Sequence, residues 1–177
     1  MKKNNLIVLS ILLLAASIFP VASKAQEAKL VEDSKAAKES FINTDQMMAS
    51  LFSSSYGYVI FPNIGKGGIG VGGAAGNGIV YQGGNIIGSA KMKQLTVGFQ
   101  LGAQKYREVI FFENQAALDR FKGNEFEFAA QASAVAVTKG ASTNVKYRDG
   151  VMVFTQEKGG LMYEASVGGQ KFKFIAN

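Results

Sequence analysis

Residues 65–102 read GKGGIGVGGAAGNGIVYQGGNIIGSAKMKQLTVGFQLG, with glycine recurring at strand spacing between apolar residues. Gly68, Gly70 and Gly72 share a parity that Ala74, Gly76 and Gly78 continue. Alternate residues of an extended strand project to opposite faces. One face is therefore nearly bare, while Ile69, Val71 and Ile79 stand on the other. Glycine inside a strand loses more backbone entropy than any other residue, so a bare face needs a bend, a bulge, or a backbone or ligand lying close against it. Close packing against Gly68, Gly70 and Gly72 is the expectation. All 21 glycines lie at or after Gly57, and the apolar interleaving separates this run from a linker.

Outward from this run the pattern stays strand-like. YVIF (58–61) is a short apolar strand stopped by Pro62, and Asn77-Gly78 and Gly83-Gly84-Asn85 are hairpin-type turn signals. Residues 95–105 alternate cleanly, Leu95, Val97, Phe99, Leu101 and Ala103 against Thr96, Gly98, Gln100, Gly102 and Gln104, and predict one strand. Residues 109–112 are apolar on both faces, the pattern of a central strand. Asn114 is placed to cap a short helix over 115–121 that ends at Lys122-Gly123-Asn124. Alternation resumes around 126–137 and 151–154, and LMYEASVGGQKFKFI (161–175) reads as a hairpin turning at Gly168-Gly169. Before the glycines, residues 27–42 form the clearest helix, with Leu30, Ser34, Ala37 and Phe41 on one stripe. Thr44 or Asp45 is placed to cap a second short helix carrying Met47, Met48 and Phe52. The expected fold is α+β: a predominantly antiparallel, strongly curved or barrel-like glycine-rich sheet, an N-terminal amphipathic helix and a short helix near residue 118.

The first 25 residues read as a secretory signal peptide. Lys2 and Lys3 precede an apolar stretch over 6–18, and Ser23-Lys24-Ala25 offers small residues at a cleavage site. No later segment approaches the ~20 apolar residues of a transmembrane helix. The expectation is an exported chain, periplasmic or secreted, cleaved near Ala25. Residues 26–177 then form a single domain with a glycine-rich core over 57–113. Without cysteine it has neither a lipid-modified anchor of that kind nor disulfides. The formal charge of +6 includes three lysines of the leader, which leaves about +3.

The side-chain inventory argues against an enzyme. Histidine and cysteine are both absent, removing the commonest general base, metal ligand and thiol nucleophile. The acids are spread singly, with Glu125 and Glu127 read as solvated residues of one strand face. No catalytic residue, metal ligand or cofactor site is expected. Gly68-Ile69-Gly70-Val71-Gly72-Gly73 matches G-x-G-x-x-G, but Gly76-Asn77-Gly78 forbids the helix a dinucleotide site requires, and lysines replace the downstream acid. Gly65-Lys66 lacks the serine or threonine of a P-loop. Lys91 and Lys93 share one strand parity, Lys105 and Arg107 another, and Lys66 sits at a neighbouring turn. These five are the candidate contacts for phosphate head groups, each base near an anionic surface contributing about 1 kcal/mol. The plainer alternative is that these bases mark solvated turns and sheet edges. Nucleic acid is a poor partner, since Tyr106 alone among the aromatics lies within the basic cluster.

GYVIFPNIGKGGIGVGGAAGNGIVY, the VGFQLGAQ-x4-VIFF stretch and A-L-x-x-F together resemble the SYLF domain, also called the Ysc84-like domain, over roughly residues 42–167. The resemblance implies a non-enzymatic lipid-binding module; eukaryotic members bind phosphoinositide membranes and some bind actin. For an exported bacterial chain, phosphatidylglycerol or cardiolipin would be the available anions. The sequence departs from many relatives at Ile86-Ile87-Gly88-Ser89-Ala90, where they carry Trp-Ser-x-Pro. The alternative is a structural or protein-interaction protein of the envelope, its glycine face packed against its own helix.

Overall fold

The structure, a computed structural model, describes residues 19–69, 71–97, 104–124, 126–129, 133–158 and 165–177. Three helices are described, α1 (Phe19–Thr44), α2 (Met47–Ser54) and α3 (Gln115–Lys122). The strands are β1 (Gly57–Ile69), β2 (Val71–Gln82), β3 (Asn85–Val97), β4 (Gln104–Phe112), β5 (Ser133–Ala136), β6 (Val151–Glu157), β7 (Ala165–Ser166) and β8 (Lys171–Ala176). They form one sheet in the order β7-β5-β6-β4-β1-β2-β3-β8. Only β5 and β6 run parallel; the other described pairs are antiparallel. The fold is α+β and mostly antiparallel, but the sheet is open, with edges at β7 and β8. Of the expected strongly curved or barrel-like sheet, closure into a barrel is not observed among the described residues.

The sheet carries a core on each face. On the front, Tyr58, Ile60, Ile79, Tyr81, Val109, Phe111, Met152 and Phe154 pack under Ala37 and Phe41 of α1 and Met48 and Phe52 of α2. The predicted helical stripe is the one that docks: Ser34, Ala37 and Phe41 are buried and Leu30 half-buried. On the back, Val59, Phe61, Ile64, Val80, Met92, Ile110 and Phe112 pack against Leu118 and Phe121 of α3, with Phe128 and Phe172. Residues 109–112 are buried on both faces, as their unbroken apolar run predicts. Asn114 caps α3 by accepting from the Ala117 amide at 3.0 Å. Asp45 accepts from the Met47 amide at 3.1 Å and from the Ser142 amide and hydroxyl at 2.9 and 2.7 Å, tying α2 to the 138–145 turns.

Several expected breaks are continuous strand. Pro62 does not stop β1: the register shifts between Ile60 and Asn63, and this irregularity absorbs a residue that has no amide proton to donate. Asn77 and Gly78 lie inside β2, because Gly78 is pressed against β1. A Cβ there would stand 2.7 Å from the Ile60 carbonyl and 2.8 Å from the Phe61 ring. The turn falls at Gly83-Gly84, whose positive φ values of 56° and 82° suit a two-residue hairpin loop. The strand expected over 95–105 divides, since Leu95 to Val97 end β3 and Gln104 opens β4, with β1 and β2 between; residues 98–103 lie outside the described residues. The expected C-terminal hairpin also divides. The chain turns at Gly169 (φ +73°), but β7 pairs with β5 and β8 with β3, at opposite edges. Helix α1 starts at Phe19, earlier than the expected residue 27, so the anticipated cleavage position falls inside it.

Candidate functional site

The lysine placement follows from strand alternation. In Lys171-Phe172-Lys173 of β8 the phenylalanine enters the back core, and in Lys91-Met92-Lys93 of β3 the methionine does, so both lysine pairs face front. Directly opposed residues of a ladder share a face. Lys93 stands opposite Lys171, and Lys91 opposite Lys173. Both are like-charge pairs, an arrangement that destabilises a sheet, and all four lysines are exposed.

The rows continue across the sheet. Lys93 faces Ala75, Ala75 faces Gly65, and Gly65 faces Lys105. The Lys158 amide then donates to the Lys105 carbonyl at 3.0 Å. One row on, Lys91 faces Asn77, which faces Asn63, and the β1 irregularity brings Pro62 and Asn63 opposite Arg107. The open half of the front face is thus a floor of Gly65, Ala75, Asn63 and Asn77. The β3–β8 lysines stand on one side, and Lys105, Arg107 and Lys158 on the other. A Cβ on Gly65 would meet nothing within 4 Å, so the floor is open above that residue. No described strand residue on this half-face is acidic. The nearest carboxylates come from elsewhere: Glu127 lies 3.4 Å from Lys171, and Asp33 of α1 pairs with Lys29 at 2.9 Å. At the floor's far end Leu95 is 85% exposed, two residues from Lys93 on the same face.

Four of the five sequence-predicted contacts, Lys91, Lys93, Lys105 and Arg107, therefore share one face. They do so as two pairs three strand spacings apart, about 14 Å, not as one hairpin. Lys66 does not join them. Its parity is that of Ile64 and Ala74, which are buried in the back core, so it belongs to the opposite face. Sequence inspection missed Lys158, Lys171 and Lys173; the KFK alternation at 171–173 was the available signal.

The glycine face also lies on the back. Gly68 pairs with Gly72 across the β1–β2 hairpin, in the parity of Ala74, whereas Gly70 is outside the described residues. Close approach is measured two steps along β2: a Cβ on Gly76 would stand 2.9 Å from the Ile64 side chain and 3.0 Å from the Asn63 carbonyl. Helix α1 packs on the front, so it does not cover these glycines.

Glu108 is the other polar feature that sequence inspection missed. It follows Arg107 in β4, but its parity with Tyr106 and Ile110 sends it into the back core, where it is fully buried. Gln170 Nε2 donates to its Oε2 at 3.1 Å, while Oε1 has no partner. Burial pushes its pKa up from 4.5 to about 7, with the Gln170 bond opposing. The folded chain therefore keeps a proton that the unfolded chain releases between these values. The contribution of Glu108 to stability is greatest below pH 4.5 and declines as pH rises to about 7, by roughly 3 kcal/mol at 1.36 kcal/mol per unit. Glu108→Gln should flatten that decline. Urea midpoints at pH 5 and 8 check it, and equal slopes in both proteins would refute it.

In comparison with known proteins, residues 93–174 match the model of a family described as Ysc84, Las17-binding protein actin regulator. That stretch is a little under half of the chain, and over it the chain is similar to Ysc84 (SYLF) proteins. The family is linked to lipid binding and to actin regulation, as a binding or interaction domain. The Ysc84 stretch holds Lys93, Lys105, Arg107, Lys158, Lys171 and Lys173, but the glycine-rich hairpin precedes it. Beta cell expansion factor A of Aeromonas veronii is 29% identical over 72 residues, 41% of this chain. The match spans 28% of that relative's length. Among the described residues, no helix is long and apolar enough to cross a membrane.

Proposed function

We propose that this chain is an exported, non-enzymatic module of the cell envelope that docks on anionic phospholipid head groups through the open front of its sheet. One observation carries the reading. Seven cations, Lys91, Lys93, Lys171 and Lys173 on one side of the floor and Lys105, Arg107 and Lys158 on the other, share a face to which the described strands bring no carboxylate. Opposed lysines repel, and a bilayer surface of phosphatidylglycerol or cardiolipin relieves that repulsion without asking for a specific pocket. Leu95 supports the same orientation, because an exposed leucine beside lysines can enter the acyl boundary while the ammonium groups stay with the phosphates. The link of Ysc84 proteins to lipid binding agrees with it. Flotation with vesicles tests the reading. The protein is expected to float with phosphatidylglycerol vesicles at low salt, to be released as salt screens the charges, and to stay behind with phosphatidylcholine. Equal flotation with both lipids would remove the electrostatic basis.

A further inference from the structure

Within the basic face, Arg107 stands apart because its Nε is buried and has no hydrogen-bond partner. A buried donor left unpaired is costly because its lost hydration is not replaced, so the position asks for an acceptor. The surroundings specify its charge. Lys105 lies two residues away on the same face of β4, and the Lys158 amide is bonded to its carbonyl. Asn63 stands beside them where the β1 irregularity opens the ladder opposite Arg107. Asn63 accepts from the Lys158 ammonium through Oδ1 and donates to Asp33 Oδ2 at 3.3 Å through Nδ2. Lys29 and Asp33 complete the rim, bonded to each other at 2.9 Å, so the one carboxylate here is already engaged.

We infer that Arg107, Lys105 and Lys158, oriented by Asn63, form a discrete seat for one phosphate-class anion. The inference deepens the membrane reading: the lysine quartet of β3 and β8 supplies the diffuse field, and this seat takes the phosphate of an individual head group. Burial lowers the Lys158 pKa first, and repulsion from Arg107, Lys105 and Lys29 lowers it further against the opposing pull of Asp33. An anion that relieves this repulsion also satisfies the orphaned Nε. Arginine suits the role because its planar guanidinium bonds phosphate oxygens with directed N–H groups.

The test is a titration of the full folded protein, following the Arg107 Nε–Hε resonance by NMR, with Arg107→Lys for its assignment. One arm adds inorganic phosphate against sodium chloride of equal ionic strength. A second adds dihexanoyl phosphatidylglycerol below its micelle concentration, and a third measures flotation with phosphatidylglycerol vesicles. The resonance is expected to shift saturably with phosphate and not with chloride. Lys158→Gln and Lys105→Gln should each weaken that binding about tenfold or more, the loss of one charge-assisted hydrogen bond. Lys66→Gln, on the opposite face, should change it less than about twofold. The amide spectrum of each variant verifies that it remains folded. Tighter binding of the short lipid than of phosphate makes the source a head group, and the reverse makes it free phosphate. Flotation without a saturable shift overturns the seat and leaves the membrane reading standing. A saturable shift without flotation does the opposite. A shift that both lysine variants leave unchanged also overturns the seat.

Discussion

Replacing Phe41 by alanine should lower the unfolding free energy by ~3–5 kcal/mol, as for a large aromatic removed from a filled core. Its ring is fully buried in the front core, which α1 and α2 share with Tyr58, Phe111 and Phe154 of the sheet. Around it, Phe52 meets Tyr58 and Phe111 edge to face with centroids 5.1 and 4.9 Å apart, and Tyr58 stacks on Tyr81 at 4.8 Å. Such rings have fixed partners and cannot readily close over a void. The polar side of α1 mixes Glu32, Asp33 and Glu39 with Lys35 and Lys38, unlike the basic polar face of a helix lying in lipid. Helix α1 is a packed element of the fold, and urea denaturation reads this directly. A midpoint equal to that of the parent protein would show that the helix is dispensable.

Gly88→Ala is the second large effect. The β2–β3 ladder shifts register here, with Gly88 opposite Val80 and Ile86 opposite Tyr81. Gly88 has φ +159°, and a Cβ would collide with the Ile175 carbonyl and lie 2.7 Å from the Phe174 ring. The carbonyl belongs to the backbone of β8, so relief requires that edge strand to move. Overpacking of ~1–3 kcal/mol and backbone strain of ~1–3 kcal/mol together predict a loss of ~2–5 kcal/mol. The loss should be concentrated at β8. Hydrogen exchange of the amides at 171–176 is expected to accelerate more than that of β4, and vesicle binding should fall because Lys171 and Lys173 lose their fixed places. Unchanged melting together with unchanged β8 protection would show that the strand is not held there.

Local chemistry made several elements legible in the sequence. The stripe of Ser34, Ala37 and Phe41, the Asn114 cap, the doubly buried run at 109–112 and the Gly83-Gly84 turn each depend on neighbours within a few residues. What escaped depends on partners distant in the chain. Asn77-Gly78 has the composition of a turn, yet β1 presses on Gly78 and holds it in a strand. Lys66 looked like a member of the basic cluster because sequence distance hides parity across the Pro62 irregularity. Lys171 and Lys173 lie about 80 residues after Lys91 and Lys93, and only the β3–β8 ladder brings them together. Glu108 resembles any charged strand residue until Gln170 is seen beside it. The bare glycine parity was legible, but the helix expected as a possible cover packs on the other face. The open floor there is made by Gly65 and Ala75.

The central claim is that one face of this sheet binds the membrane and the other does not. Flotation on phosphatidylglycerol vesicles at low salt, comparing Lys91→Gln/Lys173→Gln with Lys66→Gln, tests it most directly. Two lysines near an anionic surface are worth about 2 kcal/mol, so the front-face double variant should bind roughly 30-fold more weakly. Lys66→Gln should stay within about twofold of the parent protein, since its charge lies on the opposite face. Equal losses in the two proteins, or a larger loss with Lys66→Gln, would contradict the account.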